Sequence, residues 1–256
     1  MDSLRKGECQ WPSLAPPYDR ALREAVEFVL QRFEVLGIIA CGTIVRGNPG
    51  RSSDLDIYVV HAVQKRQRIQ RFFNGAPAEI FVNPVSAIEG YFENEHKAAR
   101  PLTAHMLATG FVILDRNPVV EGLRRRAREL IATRPEPGEA RMTMLRYMAA
   151  TLLEDALDVT ESDPDSASMI LGLAAHHMLQ YQFWKVKQYL PRDKDLLEAL
   201  RALDPELAAA GRAFFRAAGV EQRAALAREI ADRTIETHGF FEWESKLEDM
   251  PEAKSS

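Results

Sequence analysis

The chain has 256 residues and a formal net charge of −4, with 27% charged residues; that is long enough for two domains with cores of their own, and the acidic balance argues against extended nucleic-acid binding, which needs a basic face. Two cysteines, Cys9 and Cys41, fit neither a disulfide framework nor a paired metal spacing, so Cys41 is expected as a small core residue in a reducing compartment. No stretch has the successive charged, apolar and small-residue phases of a secretory leader, and no apolar run approaches the roughly 20 residues that span a bilayer, so a cytoplasmic protein with no membrane partner is expected.

After a proline-containing leader, "YDRALREAVEFVLQRFEVLG" has the spacing of an amphipathic helix, with Asp19 as the expected N-cap, Leu22, Val26 and Phe33 on the apolar face, and Gly37 as the stop. A short apolar strand follows over residues 37–41. A run rich in Gly, Pro, Arg and Ser then leads into the strand "DLDIYVVH". Next comes "RQRIQRFFNGAPAEIFVNP", where Asn74-Gly75 between two β-compatible runs is a hairpin signal. "AIEGYFENEHKAARPLTAHMLATG" reads as helix on both sides of Pro101, "FVILD" as a strand, and "VVEGLRRRARELIA" as a helix. Two prolines and a glycine in "TRPEPGE" mark a linker. Beyond it the pattern is helical, with apolar spacing at Leu145, Met148, Leu152, Ala156 and Val159, and again at Met169, Leu173, His177, Tyr181 and Trp184. The expected fold class is α+β: a mixed small sheet with helices over residues 1–134, then an all-α bundle over 139–250, with a short low-complexity tail, "PEAKSS".

The chemistry concentrates in residues 41–61, "CGTIVRGNPGRSSDLDIYVVH". Alternation along a strand puts Asp54 and Asp56 on one face, opposite Leu55 and Ile57. Two unit charges about 4 Å apart repel by roughly 4 kcal/mol at an effective dielectric near 20, which calls for a neutralising cation. Magnesium, which takes a few carboxylates together with phosphate oxygens, suits such a pair. Upstream, Gly42 and Gly47 allow close backbone approach, Thr43 offers a hydroxyl, and Arg46 offers a planar fork for phosphate, together implying a triphosphate site. Glu79 lies on the strand after Asn74-Gly75. It could stand beside the Asp54 strand as a third carboxylate for the same cation. Lys65, Arg66, Arg68 and Arg71 form a basic stretch that suits either a nucleotide or a solvated edge strand. His105, His176 and His177 are expected as packed helix residues rather than proton acceptors.

Gly42-Thr43, a spacer of ten residues, and Asp54-Leu55-Asp56 resemble the Gly-Ser…Asp-x-Asp motif of the polymerase-beta-like nucleotidyltransferase superfamily. "GTIVRGNPGRSSDLDIYVV" is most similar to the small bacterial branch, where Gly-Ser-x-x-Arg-Gly precedes Ser-Asp-x-Asp. The resemblance implies Gly42, Thr43, Arg46 and Ser53 as triphosphate contacts, and Asp54, Asp56 and Glu79 as catalytic acids and metal ligands. Thr43 departs from the usual serine but keeps the hydroxyl. The helices after the linker resemble the bundle of kanamycin nucleotidyltransferase and HEPN bundles generally. Arg100 and His105 have the spacing of the Arg-x(4-6)-His ribonuclease motif of HEPN bundles but lie in the first domain, with Pro101 directly after the arginine, and a ribonuclease site is not expected.

The resemblance implies a magnesium-dependent enzyme moving a nucleoside monophosphate, AMP from ATP, onto a hydroxyl of a small acceptor. From residue 147 to 184 there is no Lys or Arg, while Glu154, Asp155, Asp158, Glu161, Asp163 and Asp165 fall inside that window. Such acidity favours a polycationic, aminoglycoside-like acceptor at a cleft closed by the helical domain, and a solvated acidic loop explains it equally well. Nucleotidylation of a protein or RNA partner and a non-catalytic nucleotide-binding regulator stay open, as does a homodimer.

Overall fold

The computed structural model describes residues 9–247; the "PEAKSS" tail and the outermost parts of both expected domains lie outside them. The described chain forms two compact units, dividing between Arg134 and Pro135.

The first unit is built on a five-stranded mixed sheet. Helix α1 (Tyr18–Arg32) precedes strand β1 (Val35–Cys41), and a one-turn helix α2 (Gly42–Val45) follows directly. Strands β2 (Leu55–His61), β3 (Gln67–Phe73) and β4 (Ala76–Pro84) come next, then helices α3 (Val85–Lys97) and α4 (Leu102–Thr109), strand β5 (Phe111–Asp115) and helix α5 (Val119–Ala132). The spatial order is β3-β4-β2-β1-β5. β2 and β4 run parallel, and the other neighbours run antiparallel. Asn74 and Gly75 both have positive φ, 44° and 77°, the backbone that a tight two-residue hairpin turn requires.

Helix α1 lays Leu22, Val26 and Val29 against Ile38, Leu55, Ile57, Ile80 and Val82 on one face of the sheet. The other face carries Ile39, Cys41, Tyr58 and Val60, packed with Ile88, Phe92, Leu107, Leu123 and Ala127 from the later helices. Coverage on both faces removes the polar alternation that a half-exposed strand would show. Asp56 therefore shares its face with core residues, and Asp54 sits just ahead of the strand. Asp19 does not cap α1. It lies inside the first turn and accepts from Arg23 Nε at 2.9 Å. Gly37 does not stop the helix either: it lies within β1, where an added Cβ would fall 2.0 Å from Val120 Cγ2.

The second unit is helical: α6 (Glu139–Asp158), α7 (Pro164–Lys185), a 3-10 turn (Asp193–Asp195), α8 (Leu196–Leu203), α9 (Pro205–Arg216) and α10 (Val220–Arg233). Asp163 caps α7, its Oδ1 accepting from the Ser166 amide at 3.1 Å, and hydrogen bonding from the Ser166 side chain and then from its amide holds the carboxyl below the usual range. Part of the acidic segment is thus the first turn of a helix. The buried face of α6 is Ala149, Ala150, Leu153 and Ala156, and that of α7 includes Leu171, Ala174, Ala175 and Met178. Met148, Met169 and Leu173, expected in the core from their spacing, are exposed. Alanines make up much of both buried faces, with Leu153, Leu171 and Met178 among them, and small side chains let two helices approach closely.

Candidate active site

Strand register assembles the site. Asp56 on β2 stands directly beside Glu79 on the parallel strand β4, and Cys41 at the end of β1 stands on the other side of Asp56. Across the hairpin, Gln70 on β3 stands opposite Glu79. One oxygen each from Asp54, Asp56 and Glu79 lie within 4.8 Å of one another. Asp54 and Asp56 are half-buried and Glu79 is buried.

The turn above this row fits closely over it. Gly42 has φ of 84°, and a Cβ at that position would lie 2.3 Å from Asp56 Oδ2. Only glycine combines that left-handed backbone with so near an approach to a carboxylate. Thr43 lies in the one-turn helix that follows. Its Oγ1 and Ser53 Oγ are 2.8 Å apart, and Ser53 Oγ also accepts from the Gly50 amide at 2.8 Å. The Asn48 amide donates to the Thr43 carbonyl at 3.0 Å. These bonds close residues 43–53 into a compact loop that delivers Asp54 to the start of β2. Arg46 is exposed at the end of α2, ahead of Gly47, whose φ is 79°.

All three donors are hard carboxylate oxygens. An octahedral shell with bonds near 2.1 Å spans at most about 4.2 Å between opposite ligands, so the cluster is within small side-chain adjustments of holding a divalent cation. The donor set fits magnesium. The neighbouring thiol is no ligand in waiting: burial, and then the Asp56 charge, push the Cys41 thiol well above its ordinary range, and its Sγ lies 3.3 Å from the Met106 carbonyl.

Arg68 is the residue that sequence reasoning could not place. From the edge strand β3 its Nε donates to Glu79 Oε1, which also accepts from Gln70 Nε2 at 3.3 Å. The Glu79 contacts raise the Arg68 guanidinium above its usual value. The signal was present in the hairpin: a two-residue turn pairs Phe73 with Ala76 and hence Gln70 with Glu79 and Arg68 with Phe81. The rest of the basic stretch disperses. Arg66 donates to the Tyr91 hydroxyl at 2.9 Å, while Arg71 lies over Phe28 and Phe73. His105 is exposed on α4, and His176 and His177 belong to α7 in the helical unit, with His176 Nε2 3.2 Å from Asp193 Oδ1.

Comparison with protein-family models and with curated proteins gave no match. Among solved structures, the crystal structure of a nucleotidyltransferase-like protein from Exiguobacterium sibiricum 255-15 is similar over 84% of this chain and 73% of that one, with a TM-score of 0.51 and 15% sequence identity. The chain has a nucleotidyltransferase-like fold. Within it, the acids of β2 and β4 and the glycine turn after β1 form one contiguous site. No helix among the described residues is long and apolar enough to cross a membrane.

Proposed function

We propose that the protein is a magnesium-dependent nucleotidyltransferase, transferring AMP from ATP to a hydroxyl group. The reading rests on one observation: three carboxylate oxygens lie within 4.8 Å of one another beneath a turn pressed against Asp56. Three acids so close repel, and a fold retains such an arrangement where a cation is to be bound. Asp54, Asp56 and Glu79 are the residues that would hold magnesium. When bound, the ion supplies charge neutralisation to triphosphate and acceptor oxygens. The amides around Gly42 and Gly47, with the Thr43 and Ser53 hydroxyls and Arg46, would seat the triphosphate. The acceptor oxygen forms its bond to the α-phosphorus as the bond to pyrophosphate breaks, and the acceptor proton passes to a base, for which Glu79 is the candidate. Positioning and fixed charge account for most of the rate in such a site.

For the acceptor, we favour a small cationic molecule of the aminoglycoside type, with the helical unit likened to that of kanamycin nucleotidyltransferase. In favour of it, Asp155, Asp158, Glu161, Asp163 and Asp165 are all exposed around the α6–α7 turn, a concentration of negative charge that raises the local concentration of cations.

The test is incorporation of ATP labelled at the α-phosphate into aminoglycoside, RNA and protein acceptors, with and without magnesium. Transfer to aminoglycosides supports the whole reading, and transfer to RNA or protein alone replaces the acceptor. Magnesium with a non-hydrolysable ATP analogue should raise the melting temperature of wild type. It should do nothing for the Asp54→Asn, Asp56→Asn double variant; equal shifts in the two would overturn the site.

A further inference from the structure

Arg68 stands at the rim of the carboxylate cluster with its side chain 66% exposed, while the Glu79 side chain that it meets is 11% exposed. Its guanidinium carbon lies 5.3 Å from the Phe81 ring centroid, over a ring that itself stacks on Tyr58 at 5.9 Å. The β3–β4 ladder pairs through the backbone, so strand pairing alone does not demand an arginine at this position. A guanidinium fixed as a clamp on Glu79 would be walled in by neighbouring side chains. This one has most of its surface in water and already lies over an aromatic face, a contact that does not depend on Glu79.

We propose that Arg68 is a resident counter-ion of the three-acid cluster that competes with the divalent metal for Glu79, so that loading the metal requires the guanidinium to release this carboxylate. The inference rests on the nucleotidyltransferase reading above, in which Glu79 is a metal ligand. Two effects have the same sign. The guanidinium occupies Glu79 Oε1, and its positive charge repels an incoming cation. A neutral side chain at position 68 therefore leaves the cluster more negative and its third ligand less engaged. Arg68 is on this account a positioning residue, acting on the metal through Glu79.

The experiment is a calorimetric titration of Mn2+ alone into the metal-stripped full chain, for wild type, Arg68→Gln, Arg68→Ala and Arg68→Lys. Exposed ion pairs shift an equilibrium by up to about five-fold, so Arg68→Gln should bind Mn2+ about two- to five-fold more tightly than wild type. Arg68→Ala should do the same, and Arg68→Lys, which keeps the charge, should stay near wild type. Without metal the two neutral variants should melt below wild type, and at saturating Mn2+ the difference should close. Equal or weaker Mn2+ binding in both neutral variants would overturn the counter-ion role while leaving the metal site standing. Absence of Mn2+ binding in wild type and variants alike would remove the metal site itself, and the competition with it.

Discussion

Gly42 offers the sharpest test of the site because two independent constraints meet there. Replacing it by alanine places a Cβ 2.3 Å from Asp56 Oδ2, whereas ordinary contact begins near 3.4 Å. The Asp56 carboxylate must then retreat by about 1 Å, a displacement that at a reacting centre costs about 10²-fold in rate. The backbone contributes separately, since alanine at a φ of 84° is strained by about 1–2 kcal/mol. Gly47→Ala separates the two effects. Its φ of 79° imposes the same backbone strain, but nothing lies within 4 Å of the added methyl. Both variants should melt a few degrees below wild type by calorimetry. Only Gly42→Ala should lose the stabilisation by Mn2+ alone, a readout that the triphosphate contacts of Gly47 do not enter, and Gly42→Ala should also lose about 10²-fold of any transfer rate. If Gly42→Ala responds to Mn2+ as fully as Gly47→Ala, the turn does not press on a working carboxylate and the reasoning fails.

Two further outcomes follow from the same geometry and from the helical unit. Glu79→Gln should weaken Mn2+ binding and lower single-turnover transfer by at least about 10²-fold, because it removes a ligand and the candidate base together; unchanged binding and rate would reduce Glu79 to an ordinary strand residue. On α7, burial, and then the charge of neighbouring His176, hold the His177 imidazole below the ordinary histidine value of about 6.5. The fold therefore favours the neutral ring: its contribution is present above about pH 6.5 and lost as pH falls through the lowered value. His177→Asn should lose less melting temperature than wild type between pH 7.5 and pH 5, and parallel losses would refute this.

The site could be read from the sequence as far as local pattern reaches. The Asp-x-Asp strand, the glycines before it and the Asn74-Gly75 turn each carry their own signature within a few residues. That Glu79 stands beside Asp56 is a matter of parallel pairing between non-consecutive strands, which the pattern allowed but did not demand. Arg68 escaped because a charged residue on an edge strand looks the same whether it faces water or a carboxylate. In the helical unit, apolar residues surround α7 on all sides, so spacing could not choose a face. The long side chains of Met169 and Leu173 drew attention that belonged to Ala174 and Ala175. Asp19 illustrates the remaining kind of difference: an acid near a helix start serves equally as a cap or as the partner of an arginine one turn on, here Arg23.

The hairpin between β3 and β4 has a bearing on how this active site can change over time. Its turn has two residues, and the register on either side decides which β4 side chains look toward Asp56. A slip of β4 by a single residue against β2 would exchange the two sets of side chains, turning Ala78 or Ile80 toward Asp56 and sending the glutamate to the opposite face. The third acid is thus under a parity rule. A change in the turn or in β3 that keeps the β2–β4 register leaves Glu79 beside Asp56, whereas an odd slip of β4 removes it in one step and an even slip restores its face but carries it about 6.6 Å along the strand.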